Sequence, residues 1–255
     1  MVLNHLKKGE SIDRQSPIPM YYQIMNQLRE KISAGEYTVD SALPPERELV
    51  ESYQVSRMTI RQAISELVNE GILVRRKGIG TFVAPPKLEQ PLSSLTSFTE
   101  DMAQRGMKAS SRIISFKEML PEPAIRKTLG LSAEDKVFEC VRLRLADEEP
   151  MALETTSLVA SLCPGLQAEA LENQSLYKVL TERWDIQLNY ATQALEPILA
   201  PPYEATLLHV APGSPLLLMH RVTYDQNGRA FEHVKSLYRG DRYKFVTELH
   251  RKADR

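Results

Sequence analysis

The chain has 255 residues and a mass of 28.9 kDa, enough for about two domains at roughly 150 residues each. Its 32 basic and 33 acidic side chains leave a net charge of -1, which announces neither a nucleic-acid partner nor an acidic tail. Two cysteines, Cys140 and Cys163, exclude a disulfide framework and a cysteine-rich zinc site, and no apolar run approaches the roughly 20 residues of a membrane helix. The first residues lack the apolar stretch of a secretory signal, so a cytoplasmic setting is expected.

Residues 1–14 are polar and without pattern, and read as a flexible tail. Tyr21, Ile24, Met25, Leu28 and Ile32 then repeat at helical spacing, with Gly35 placed to end the helix. Leu43-Pro44-Pro45-Glu46-Arg47-Glu48 announces a second helix, with proline near its start and acids at the positive end of its dipole. Ser56 is a cap for a third, whose apolar face is Ile60, Ala63, Ile64, Leu67 and Val68 and whose end is Gly71. Two short runs, Ile72 to Arg76 and Thr81 to Ala84, flank Lys77-Gly78-Ile79-Gly80 and predict a β-hairpin. Three helices and a hairpin over 15–84 make a winged helix-turn-helix.

Residues 85–91 hold three prolines and no period, and read as a linker. Beyond it, Val137 to Ala146 and Met151 to Val159 predict one hairpin. Leu176 to Trp184 reads as helix and Leu188 to Leu199 as extended. Pro215 to Tyr224 and Arg229 to Tyr238 flank Asn227-Gly228, a strong hairpin signal. Hairpins outnumber parallel units, so residues 92–255 are expected to form an antiparallel sheet with helices, and the chain as a whole is α+β.

On the third helix Arg57 and Arg61 are one turn apart and point together, flanked by Thr59 and Gln62. A recognition helix presents such residues to the major groove, where arginine can donate two bonds to guanine, and Arg47 could reach the backbone beside it. Alone, a basic helix face reads more readily as a solvated surface. Two preceding helices, the Ser56 cap and a hairpin carrying Arg75, Arg76 and Lys77 turn the reading toward DNA. The glycine-flanked tip suits a minor-groove approach.

The strings Leu43 to Leu49, Val55 to Ala63, Gly71 to Leu73 and Gly78 to Val83 resemble the GntR family of bacterial regulators over about residues 15–84. The resemblance implies DNA contacts by Arg47, Arg57, Arg61 and Gly78. Where many relatives carry a basic residue between the wing glycines, this chain has Ile79, so no charge contact is implied there.

Downstream, Arg142 and Arg144 alternate with Val141, Leu143 and Leu145 and so share one strand face. Thr96-Ser97-Phe98 reads as the capped start of a helix, whose free N–H groups suit an anion. Leu95 to Met102, Val141 to Ala146, Pro150 to Thr156 and Phe231 to Tyr243 resemble the UTRA effector domain of the HutC subfamily, similar in fold to chorismate lyase. The resemblance is closest to regulators of N-acetylglucosamine utilisation. It implies a repressor and homodimer that binds operator DNA and responds to N-acetylglucosamine 6-phosphate or glucosamine 6-phosphate. A related regulator sensing another small acid, sugar phosphate or phosphonate is the alternative. In the implied site, backbone N–H groups around Thr96, Ser97 and Phe98, with Arg142, Ser175 and Tyr177, hold the phosphate. Arg144, Glu154, Glu232 and Tyr238 address the sugar. His233 and Lys235 fall on the opposite strand face and read as structural. No cofactor, metal or catalytic residue is expected, because His5, His209, His220, His233 and His250 are scattered and no nucleophile elbow is present.

Overall fold

A computed structural model describes residues 12–76 and 78–249, which divide into two units at Lys87/Leu88. The expected tail lies outside the described residues except for its last three. These are not free: Ile12 packs on the core of the first unit, and Asp13 and Gln23 exchange hydrogen bonds of 2.9–3.0 Å.

In the first unit, helices α1 (Met20–Ser33), α2 (Glu46–Tyr53) and α3 (Arg57–Asn69) precede strands β1 (Leu73–Arg76) and β2 (Gly80–Val83). The apolar stripes read from the sequence meet: Ile24 and Leu28 of α1, Leu49 and Tyr53 of α2, and Ile60, Ile64 and Leu67 of α3 are all buried, with Leu73 and Val83 below them. Each such side chain contributes about 1.5–3 kcal/mol by leaving water. Pro45 serves as the cap of α2, one position earlier than a first helical residue. Gln54 ends that helix in the left-handed region at φ 53°, and Ser56 caps α3 by accepting the Thr59 N–H at 3.1 Å. β1 and β2 pair antiparallel from Leu73 opposite Val83 to Arg76 opposite Gly80.

The second unit is built on a six-stranded antiparallel sheet. Its strands, in spatial order, are β4 (Ala109–Met119), β5 (Val137–Ala146), β6 (Glu149–Val159), β9 (Ala230–Arg239), β8 (Pro215–Asp225) and β7 (Leu188–Leu199). One face packs on helix α6 (Leu176–Trp184) through Cys140, Leu158, Val179 and Leu180. The other packs on α7 (Pro202–Leu208) through Leu143, Leu153, Leu216 and Leu237. Helices α4 (Phe98–Gln104) and α5 (Pro123–Thr128) complete the unit.

The expected linker is shorter than 85–91. Leu88–Pro91 forms strand β3, parallel to β10 (Tyr243–Val246) with Leu88 opposite Tyr243. The prolines suggested an unpaired segment, but Leu88 and Leu92 donate to Arg242 and Val246, so Pro91 falls at a residue whose N–H is not used. The parallel pairing also departs from the purely antiparallel expectation.

At the end of β9 the chain passes close to β8. A Cβ built on Gly240 would stand 2.8 Å from the Pro215 carbonyl oxygen, which already accepts the Gly240 N–H at 3.1 Å. The obstacle is backbone and cannot rotate away. Gly240→Ala is therefore expected to destabilise the protein by about 1–2 kcal/mol, read as a lower urea midpoint with unchanged slope.

Candidate functional site

Two constellations emerge, one in each unit. In the first, α3 presents Arg57, Arg61 and Gln62 as exposed side chains beyond the Ser56 cap. Thr59 is half-buried, its hydroxyl 2.9 Å from that of Ser56. Glu46, from the first turn of α2, lies 3.3 Å from Arg57 Nε and 3.9 Å from Arg61 Nε. Arg47 is exposed and donates to Glu51 at 3.1 Å. At the hairpin tip Gly78 and Gly80 take φ of 75° and 150°, and between them Ile79 is 75% exposed. The two described arginines of the hairpin are turned to the protein: Arg75 donates to Ser65 at 2.8 Å, while Arg76 pairs with Asp40 and lies over the Phe82 ring. Lys77 lies outside the described residues. The candidate reading side chains are thus those of α3, and the tip offers an apolar residue in place of a charge.

In the second unit an open cleft is lined by Thr96, Ser97, Phe98, Arg142, Arg144, Glu154, Tyr177, Glu232 and Tyr238. Register brings them together. Arg142 is opposite Glu154, Arg144 opposite Ala152, and Ala152 in turn opposite Tyr238, so their side chains share one face of β5, β6 and β9. Arg142 and Arg144 are buried, at 3% and 4% exposure. Arg142 Nη2 pairs with Glu154. Burial alone would raise the Glu154 carboxyl, but the Arg142 and Arg144 charges hold it below the ordinary carboxylate range. Burial and the neighbouring Arg142 bring the Arg144 guanidinium down to about 10, still charged at neutral pH. Nε and Nη1 of both arginines have no acceptor among the described residues. Arg144 stacks over Phe98 at 4.7 Å, so helix α4 and strand β5 fix its plane together. Buried donors without acceptors are costly, and two facing guanidinia meet that need best with a polyoxygen anion.

Glu232 is 1% exposed and accepts the Thr223 hydroxyl at 2.6 Å and the Tyr177 hydroxyl at 2.9 Å. Burial pushes its carboxyl up despite these bonds. Burial likewise lifts the Tyr238 phenol to about 12. Tyr177, grouped by resemblance with the phosphate, therefore sits on the Glu232 side.

Ser175 is not among the lining residues: its hydroxyl caps α6, accepting the Lys178 N–H at 3.4 Å. The donors at the start of α4 are also partly engaged. The Ser97 N–H donates to Glu100 at 2.8 Å and the Thr96 hydroxyl to Asp101 at 2.6 Å. The Ser97–Glu100 spacing is that of a capping box, legible in the sequence. Sequence reasoning missed Arg221, Asp101, Gln90 and Phe245, all of which line the cleft. Arg221, opposite Val234, is held through Nε by Gln193 at 2.9 Å. His233 lies on the opposite sheet face against His220, and burial and that neighbour lower its pKa. No helix among the described residues is long and apolar enough to cross a membrane, and no group of three or more potential ligands there could hold a metal ion.

Comparison with known proteins agrees with this division. Residues 20–83 match the profile described as bacterial regulatory proteins, gntR family, and residues 104–244 that of the UTRA domain. The chain is 46% identical to the HTH-type transcriptional repressor NagR of Bacillus subtilis, over 94% of this chain and 99% of that one. It is 31% identical to the mannosyl-D-glycerate transport/metabolism system repressor MngR of Escherichia coli, over 93% and 98%. The crystal structure of PhnF from Mycobacterium smegmatis superposes with a TM-score of 0.63 at 32% identity, covering 90% of this chain and 100% of that one.

Proposed function

Because this chain belongs to the GntR family of bacterial regulators and carries a HutC-type UTRA domain, we propose that it is a cytoplasmic transcriptional repressor of N-acetylglucosamine-utilisation genes, released by a phosphorylated amino sugar. It is a regulator and not an enzyme, as its relatives are. The observation that carries the ligand class is the pair of buried guanidinia, Arg142 and Arg144, which line the cleft beside Glu232 and Glu154 and keep N–H donors without an acceptor. Arginines suit the phosphate. Glu232, Glu154 and Tyr238 suit ring hydroxyls and the amino or acetamido group.

The repressor acts as a homodimer, since two recognition helices about one DNA turn apart match a two-fold symmetric operator. The sugar phosphate binds more tightly to the arrangement whose reading heads no longer fit both half-sites. That difference in affinity between the two states, rather than tight binding as such, is what releases DNA. Calorimetry with N-acetylglucosamine 6-phosphate and glucosamine 6-phosphate tests the ligand. Heat with at least one of them, and release of bound operator by the same compound, is expected. No heat with either overturns the amino-sugar assignment and turns attention to other sugar phosphates, phosphonates or small acids.

A further inference from the structure

We propose that Glu46 is a positioning residue for DNA recognition, one carboxylate that aligns both Arg57 and Arg61 and thereby sets how well the protein separates its operator from other DNA. The proposal rests on the reading of those arginines as base contacts. Its geometry is particular. Oε2 of Glu46 takes the Nε of Arg57 at 3.3 Å, while Oε1 stands 3.9 Å from the Nε of Arg61. The two arginines are one turn apart on α3, whereas Glu46 belongs to α2. The carboxylate is the more sheltered partner, with its side chain 28% exposed against 75% and 53% for the arginines.

Contact through Nε leaves the terminal edge of each guanidinium open, and that edge can donate two bonds to guanine O6 and N7. Such an exposed pair adds little to fold stability, which rests on Leu49 and Tyr53 beneath it. Its consequence appears when DNA arrives. A carboxylate beside the reading helix repels phosphates of any sequence, which weakens non-specific binding. On the operator the aligned guanidinia lose less side-chain freedom when they meet their bases, which offsets that repulsion. Glu46 thus lowers affinity for DNA of arbitrary sequence and favours the operator over it.

The test uses the full chain, an operator duplex recovered by selection from a random library, and a scrambled duplex of the same composition. Glu46→Gln keeps the size of the side chain and removes its charge. Affinity for the scrambled duplex should rise and become more salt-dependent, while the operator-to-scrambled affinity ratio falls about five- to tenfold. A ratio equal to or above that of the parent overturns the proposal. Arg57→Ala is measured alongside. If it lowers the ratio and Glu46→Gln does not, only the role of Glu46 is lost. If Arg57→Ala leaves the ratio unchanged, the base-contact reading fails and the proposal goes with it.

Discussion

Arg142→Ala is expected to bind operator DNA as the parent does and to be deaf to the sugar phosphate. Arg142 is 3% exposed and lines the cleft, with Nη2 engaged by Glu154 and Nε and Nη1 buried without an acceptor. Truncating one partner of a buried, hydrogen-bonded charge pair costs about 2–5 kcal/mol in binding, a loss of roughly thirtyfold to several thousandfold. Glu154 also loses its direct partner, so a lower melting temperature accompanies the loss. Arg142→Lys separates the two effects. It keeps a cation for Glu154 and so recovers stability, yet it lacks the planar fork and recovers little of the ligand affinity. Calorimetry gives the affinity and a gel-shift titration gives the release. Release of operator from either variant at the parental effector concentration would remove Arg142 from the phosphate site.

Elements with a local signature were legible in the sequence. The Asn227-Gly228 turn is the clearest case. Gly228 takes φ of 75°, and Asp225 accepts the N–H groups of Asn227 and Arg229 at 2.9 Å each, so the residues that make the turn are also those that announce it. The Ser56 cap and the three helical stripes of the first unit are of the same kind. The strand pair β3–β10 was not legible, because it joins segments about 155 residues apart. No local pattern encodes such a partner, and Pro85, Pro86 and Pro91 argued against a strand there. Short helices such as α5 and α7, of 6 and 7 residues, span too few turns to show a period.

The cleft itself was half legible. Strand alternation gave Arg142 with Arg144, and Glu232 with Tyr238, but which strands lie side by side is a property of the sheet. Arg221 was not legible even from its own hairpin. Counting outward from the Asn227-Gly228 turn, where Tyr224 is opposite Ala230, would pair Arg221 with His233 on the other sheet face. A one-residue shift of register between Thr223 and Tyr224 instead places Thr223 opposite Glu232 and Arg221 opposite Val234, which turns Arg221 to the face of Glu232. That Arg75 and Arg76 turn away from the wing tip was not legible, because their partners Ser65 and Asp40 lie in other elements.

Arg57→Ala and Arg61→Ala should each weaken operator binding by about 1–3 kcal/mol, roughly five- to 150-fold, and relax the sequence preference at one base pair of each half-site. The expectation separates a base contact from a phosphate contact. A phosphate contact lowers affinity for every sequence alike and reduces the salt dependence. A base contact leaves affinity for scrambled DNA nearly unchanged. Arg47 provides the comparison within the same head: it is 89% exposed and paired with Glu51 on its own helix, and it is expected to meet the backbone. Arg47→Ala should therefore weaken operator and scrambled duplexes together. The distinction matters in this protein because the region through residue 84 carries 11 basic and 10 acidic side chains and so has almost no net charge with which to hold DNA. With so little general attraction, discrimination has to come from a few well-aimed groups on α3. A gel-shift titration of each variant against both duplexes decides the matter: equal losses on the two duplexes for Arg57 and Arg61 would reduce them to backbone contacts.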